Sequence, residues 1–317
     1  MDILAADIGG TNSRFAHFRA GVGRDLALVE TVWLSTAAAP SATALLEDLV
    51  ERGFSLDPRE ADAVVLAVAG PVEGGVRSSP PFIGWDINIL KIKDALGIGR
   101  ALLINDFVAQ AWACRSPLAR EAAQVLAGEP DPGGAVAVIG AGTGLGKAAT
   151  FPDGRGGFVA VPSEGGHADF PFEGEEERGF ESFLRRELKE DYVTANRVVS
   201  GGGLRLLHRF LTGEDIRPED MAGRFAPGTK SLEWGARFYG RACRNYALEV
   251  LAAGGLYVAG GVAARMPGLV RDRAFEAEFR SSPTLGRVLR KIPVYLIANE
   301  ESGLWGAACA GLQELSR

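Results

Sequence analysis

Asn105 and Asp106 stand side by side where the apolar run "ALLI" (101–104) gives way to "FVAQAWAC" (107–114). An Asx pair at a strand end can cap the helix that follows, which is worth about 0.5–2 kcal/mol. A carboxylate at the carboxyl end of a strand also lies where ligands collect in α/β sheets, and there it could take a proton from a bound hydroxyl. Both readings of the pair are open. A second polar cluster, "SEGGHADF" (163–170), gathers Glu164, His167 and Asp169 around two glycines. The histidines are His17, His167 and His208, with no His-x-x-x-His pair, and no cysteine lies near the cluster, so a structural zinc site is not expected. Carboxylates and imidazole can accept from and donate to a hydroxyl-rich ligand while glycines allow it to approach; a plain polar turn is the alternative. His17, beside Phe15 and Phe18 on a strand-like run, and His208, on a helical one, are expected to be structural.

The glycine-rich "IGAGTGLGK" (139–147) invites comparison with nucleotide loops and matches neither familiar kind. A P-loop needs glycine where Ala141 stands and Ser or Thr where Ala148 follows Lys147. The dinucleotide fingerprint fails at Leu145 in one register and at Lys147 in the other. What is left is a strand, a turn and a strand, whose glycine and threonine N–H groups could face an anion or could simply close a hairpin. "DIGGTNSRFAHF" (7–18) repeats the pattern about 130 residues earlier, which favours phosphate binding and suggests a duplicated lobe.

The elements that must carry these turns are legible as apolar runs without alternation, the mark of strands covered on both faces. They lie at 3–7, 63–70, 101–106, 135–142, 255–261 and 293–298. Helical spacing of apolar residues marks 41–53, 176–191 and 231–255, giving an α/β class with covered sheets. The "EGEEER" run (173–178) reads as the solvated start of a helix. At 317 residues two lobes are expected, with a boundary near "RSPLAR" (115–120).

Composition narrows the partners. A net charge of -6 and a pI near 5.3 argue against a broad nucleic-acid surface, which needs clustered Lys and Arg. The three cysteines, Cys114, Cys243 and Cys309, are far apart and form neither a disulfide framework nor a Cys-x-x-Cys zinc motif. No basic leader opens "MDILAADIGG" and no run offers the roughly 20 apolar residues of a membrane span, so a cytoplasmic protein is expected.

Seven segments in order resemble the bacterial glucokinase family of the hexokinase and actin-like ATPase superfamily. They are "ADIGGTNSRFA" (6–16), "LLINDFVAQAWA" (102–113), "GAGTGLGKAA" (140–149), "SEGGHADF" (163–170), "RVVSGGGL" (197–204), "LYVAGGVAARM" (256–266) and "IPVYLIANEESGLWGAA" (292–308). The resemblance implies a two-lobed, ribonuclease H-like α/β kinase with ATP and glucose in the cleft between its lobes. It gives a small lobe of residues 1–116, completed by a helix over 303–317, and a large lobe of 117–302. Asp7, Gly9, Gly10, Thr11 and Asn12 would form the first phosphate hairpin, Gly142, Thr143 and Gly144 the second, with Gly260 and Gly261 along the adenosine. Asn105, Asp106, Glu164 and His167 would contact glucose, Asp106 as the base; ATP, Mg²⁺ and a homodimer follow from the same likeness.

Two positions depart from that pattern. Asn196, counted with the sugar contacts, stands where the family usually has Glu, and Pro80 replaces the asparagine of a Thr-Asn-x-x-Trp pattern. A charged acceptor holds a hydroxyl with about 1.5–3 kcal/mol against about 0.5–1.5 for a neutral one. The alternatives are therefore a kinase for mannose, fructose or an amino sugar, or a sugar-binding regulator. Transcriptional relatives add a DNA-binding domain for which no room is expected before Asp7.

Overall fold

The computed structural model describes residues 1–21 and 25–316. The chain divides into two compact units, Met1–Glu121 with Asn299–Arg317, and Ala122–Ala298. In the first unit lie β1 (Asp2–Ile8), β2 (Asn12–Ala20), β3 (Leu26–Ser35), β4 (Ala63–Val68), a two-stranded ribbon of β5 (Arg77–Ser78) and β6 (Ile87–Asn88), and β7 (Ala101–Asn105). Its sheet runs β3-β2-β1-β4-β7. The pairs β1–β2 and β2–β3 are antiparallel, while β1–β4 and β4–β7 are parallel. The parallel strands carry the continuous apolar runs because helices cover both faces. One face holds the helices Ala42–Glu51 and Ile89–Leu96 through Leu45, Leu46, Leu49 and Ile92. The other holds Asp106–Ala113 and Ser302–Leu315 through Ala109, Leu304, Ala307 and Ala308. Those last two helices touch closely: a Cβ on Gly306 would come within 1.7 Å of the Ala109 carbonyl oxygen, so only glycine allows the packing. Arg317, which the expected final helix includes, lies outside the described residues.

The second unit contains β8 (Ala123–Leu126), β9 (Val136–Ala141), β10 (Leu145–Pro152), β11 (Phe158–Ser163), β12 (Gly255–Ala259) and β13 (Val294–Leu296), in the order β11-β10-β9-β12-β13-β8. This is the mixed α/β class expected, built on two sheets. β9 and β12 are buried along their whole length. Their shared core includes Phe238, Tyr239, Cys243 and Tyr246 of the long helix Lys230–Glu249. That helix stops earlier than its apolar spacing predicts, because Leu251 turns into the left-handed region at φ 46° and leads the chain into β12.

The acidic run at 173–178 corrects the sequence reading. It does begin a helix, Gly174–Leu188, but Glu177 is buried rather than solvated. Its carboxylate accepts from Arg241 at 2.5 and 3.1 Å, and the equally buried guanidinium also donates to Glu278 (2.9 Å) and to the Pro171 carbonyl (2.8 Å). A buried carboxylate needs such a partner.

The cysteines are free, with Cys114 and Cys243 buried and Cys309 half-buried. Burial pushes every thiol up, that of Cys309 to about 12. Since the thiolate is the reactive form, almost none exists near pH 8. Titration of the native protein with a disulfide reagent at that pH is expected to find less than one fast thiol per chain, rising to three in guanidinium; rapid labelling without denaturant would contradict the burial.

Candidate active site

In the first unit the β1–β2 hairpin turns through Gly9, Gly10 and Thr11, closed by the Gly9 N–H donating to the Asn12 carbonyl at 3.2 Å. Gly10 has no room for a Cβ, which would come within 2.8 Å of Phe82 in the "SSPPFIGWDI" loop. Asp7, at the carboxyl end of β1, accepts from Arg14 at 3.0 Å, and that guanidinium lies 4.8 Å over the Trp33 ring. These residues occupy one cross-strand row, Asp7 opposite Arg14 and Arg14 opposite Trp33.

At the end of β7 the two readings of Asn105-Asp106 turn out to be compatible. The Asn105 oxygen caps Asp106–Ala113, accepting from Phe107 N–H (2.9 Å) and Val108 N–H (3.2 Å). Its amide nitrogen donates to the Gly70 carbonyl (3.0 Å) and to Asp106 Oδ1 (2.8 Å). Oδ1 also accepts from Phe107 N–H at 2.9 Å. Asp106 is thus only partly buried, aimed by its neighbour, and set in the first turn of a helix, where the dipole favours negative charge. Asn105 spends its polar atoms on this scaffold, which makes it an aiming residue as the molecule stands.

In the second unit the β9–β10 turn is held by the Gly142 N–H donating to the Gly144 carbonyl at 2.8 Å. Nothing lies within 4 Å of a Cβ built on Gly142, Gly202 or Gly261, so the fold itself does not demand glycine there. Gly260 differs: φ is +86° and a Cβ would meet the Ala141 carbonyl oxygen at 2.6 Å. The turn, the start of Gly201–Thr212 and the Gly260–Gly261 bend come together, since the Gly201 N–H donates to the Gly142 carbonyl at 3.0 Å. Three stretches of bare backbone so converge on one spot.

The "SEGGHADF" segment forms a single turn, Gly165–His167, after β11. Main-chain bonds from Phe170 to Val193 (2.9 Å) and from Ala195 to Ala168 (3.0 Å) lay it against 193–195, bringing Asn196 to His167. The Asn196 oxygen accepts the Leu145 N–H at 2.6 Å, and its nitrogen lies 3.0 Å from His167 Nε2. Glu164 Oε2 is 3.8 Å from the same Nε2, and both side chains are exposed. Lys147, buried on β10, donates to the Gly165 carbonyl at 3.3 Å and stands 5.2 Å over the Tyr246 ring. Desolvation lowers its pKa, with Glu249 opposing.

The family model for glucokinase matches residues 4–314. The chain belongs to the glucokinase family. A curated glucokinase of Pseudomonas aeruginosa (strain UCBPP-PA14) is 35% identical over 98% of this chain and 95% of its own. The crystal structure of a glucokinase from an Antarctic psychrotroph superposes with a TM-score of 0.84 at 26% identity, covering 98% of this chain and 99% of that one. A ROK family glucokinase from Streptomyces griseus, solved in complex with glucose and AMPPNP, shares the fold at a TM-score of 0.63 and 20% identity, covering 99% and 100%. Among the described residues no helix is long and apolar enough to cross a membrane.

Within this glucokinase frame two contributors escaped the sequence reading. In the sequence Lys147 stands out only as the residue that breaks the dinucleotide fingerprint; its buried stem and its bond to Gly165 depend on cross-strand pairing with Ser163. Gly201 and Gly202 showed as a glycine run, yet their place beside the β9–β10 turn follows from a single tertiary hydrogen bond.

Proposed function

We propose that this glucokinase moves the γ-phosphoryl group of ATP to the 6-hydroxyl of glucose, with Asp106 as the general base. The observation that carries the reading is the setting of Asp106: a carboxylate at the carboxyl end of a parallel strand, oriented by the Asn105 amide and the Phe107 N–H. It takes the proton of the 6-hydroxyl as that oxygen bonds to the γ-phosphorus, and the bond from phosphorus to the bridging oxygen breaks, releasing ADP. Phosphoryl transfer asks the protein mainly for position and charge stabilisation. The bare backbone at Gly142, Thr143 and Gly144 and at Gly260–Gly261 suits phosphates and an adenosine that must approach closely, and the β1–β2 turn, whose Gly9 N–H closes the hairpin on Asn12, offers further N–H donors at Gly10 and Thr11. Glu164 and His167 are exposed and can exchange hydrogen bonds with sugar hydroxyls.

No group of three or more metal-ligating side chains occurs among the described residues. Mg²⁺ needs no such group, being usually held by one or two carboxylates together with substrate phosphates. Asp7 is the carboxylate we assign to it. Bound there, the ion would neutralise charge on the phosphates. Cytosolic action as a homodimer completes the proposal, the latter to be read from light scattering.

The test is ADP formation against a panel of hexoses. Turnover selective for glucose is expected; turnover on another hexose would reassign the substrate, and sugar binding without turnover would make the chain a regulator. Glu164→Ala is expected to raise the KM for glucose by about tenfold, the loss of a charged hydrogen bond. A calorimetric affinity equal to the parent's would remove Glu164 from the sugar site.

A further inference from the structure

One side chain in the second unit joins the two halves of the proposed chemistry. Asn196 reaches the backbone of the β9–β10 turn with its oxygen and the His167 ring with its nitrogen. The roles of these atoms are fixed by the partners. A backbone N–H can only donate, so the atom 2.6 Å from Leu145 N is the amide oxygen, and the –NH₂ faces His167. An –NH₂ can only donate in turn, so His167 Nε2 must present a lone pair. That leaves the ring proton on Nδ1. Glu164 Oε2, 3.8 Å from the same nitrogen, is the other polar group at this edge of the ring.

We infer that Asn196 is a positioning residue: it holds His167 as the Nδ1–H tautomer, so that a hydrogen-bond donor is offered to an acceptor oxygen of the sugar, and it ties that ring to the phosphate-side turn. The tautomer rests on the hydrogen bonds alone; the sugar and phosphate parts rest on the glucokinase reading above. No substitute that lacks either function can make both bonds. Aspartate has no donor for Nε2, and alanine has neither group. Glycine at 166 makes room for the amide, since a Cβ there would stand 2.7 Å from its oxygen, and one on Gly144 3.4 Å. Asn196 thus acts on the sugar through His167, which is a different role from direct contact and makes different predictions.

The tautomer is read by long-range ¹H–¹⁵N spectra of the full-length protein with ¹⁵N-histidine, taken at pH 8, with His167 assigned by its loss in His167→Gln. The expected spectrum shows a protonated Nδ1 and a bare Nε2. In Asn196→Asp the proton should move to Nε2, and in Asn196→Ala the ring should return toward the Nε2–H form that free histidine prefers. A protonated Nε2 in the parent, or a ring indifferent to both substitutions, overturns the inference. The kinetic arm is a double-mutant cycle in the KM for glucose. Asn196→Ala is expected to raise KM about tenfold, with the smaller part of the effect in kcat. Added to His167→Ala, it should cost almost nothing more, because its route to the sugar is already gone. Penalties that multiply would make Asn196 a direct contact instead. If the parent turns over no hexose, the functional reading fails while the spectra still decide the tautomer.

Discussion

Asp106→Asn is expected to lower kcat by about 10²–10⁴, the usual worth of a positioned general base, while the calorimetric affinity for glucose changes less than threefold, roughly 0.6 kcal/mol. The asymmetry follows from the geometry. An asparagine at 106 keeps an oxygen that can accept from Asn105 Nδ2 and Phe107 N–H, as Oδ1 does now at 2.8 and 2.9 Å. The start of the helix and the shape of the site are thereby retained. What disappears is basicity: an amide cannot take the hydroxyl proton, so the attacking oxygen would carry it into the transition state. A loss confined to kcat is therefore the signature of the base, and a loss confined to KM would mark a sugar contact. Unchanged turnover removes Asp106 from the mechanism. Asn105→Ala should behave differently, reducing kcat together with stability, because it removes the cap and the group that aims the carboxylate at once.

How far the sequence exposes all this depends on whether a signal is local. β4, "AVVLAV", is readable because six successive apolar residues between loop signals have few other places to go than the middle of a covered sheet. The two hairpins are readable for the same reason, each being closed by bonds between residues a few positions apart. The Asn105-Asp106 pair is legible as a helix start, and the structure shows Asn105 capping that helix with its oxygen while its nitrogen donates to Asp106. Glu177 was not legible. Its neighbours in "EGEEER" are solvated, and nothing local distinguishes the one carboxylate whose partner, Arg241, comes 64 residues later. The link from Asn196 to His167 is hidden in the same way, since it requires 168–170 to pair with 193–195 through only a few main-chain bonds. The long helix overran its true end because apolar spacing continues through Leu251, whose left-handed backbone only tertiary packing can impose.

Glu177→Ala is expected to destabilise the second unit by about 3–5 kcal/mol, because removing one partner of a buried ion pair leaves the other charge uncompensated. Arg241 is almost fully buried and would keep only Glu278, the Pro171 carbonyl and a longer contact to Glu173. In a unit of this size such a loss lowers the midpoint of thermal unfolding by about 10 °C. The double variant Glu177→Leu/Arg241→Leu should lose less than the single one, since apolar residues of similar volume remove both desolvation costs together. Glu278 would not be stranded there, for it also accepts from Arg244 at 2.7 Å. A single variant within about 1 kcal/mol of the parent would contradict the buried-pair account, as would a double variant less stable than the single. The same network should be felt at Glu164 and His167. Arg241 holds the Pro171 carbonyl and lies 5.8 Å from the Phe170 ring centroid, and these residues come three and four positions after His167 in the chain. Glu177→Ala leaves the Pro171 bond in place and should change the KM for glucose little at temperatures well below its unfolding transition, whereas the double variant loses that bond and should raise the KM despite its greater stability. Stability and sugar affinity would then move in opposite directions between the two variants, which a general loosening of the fold cannot produce.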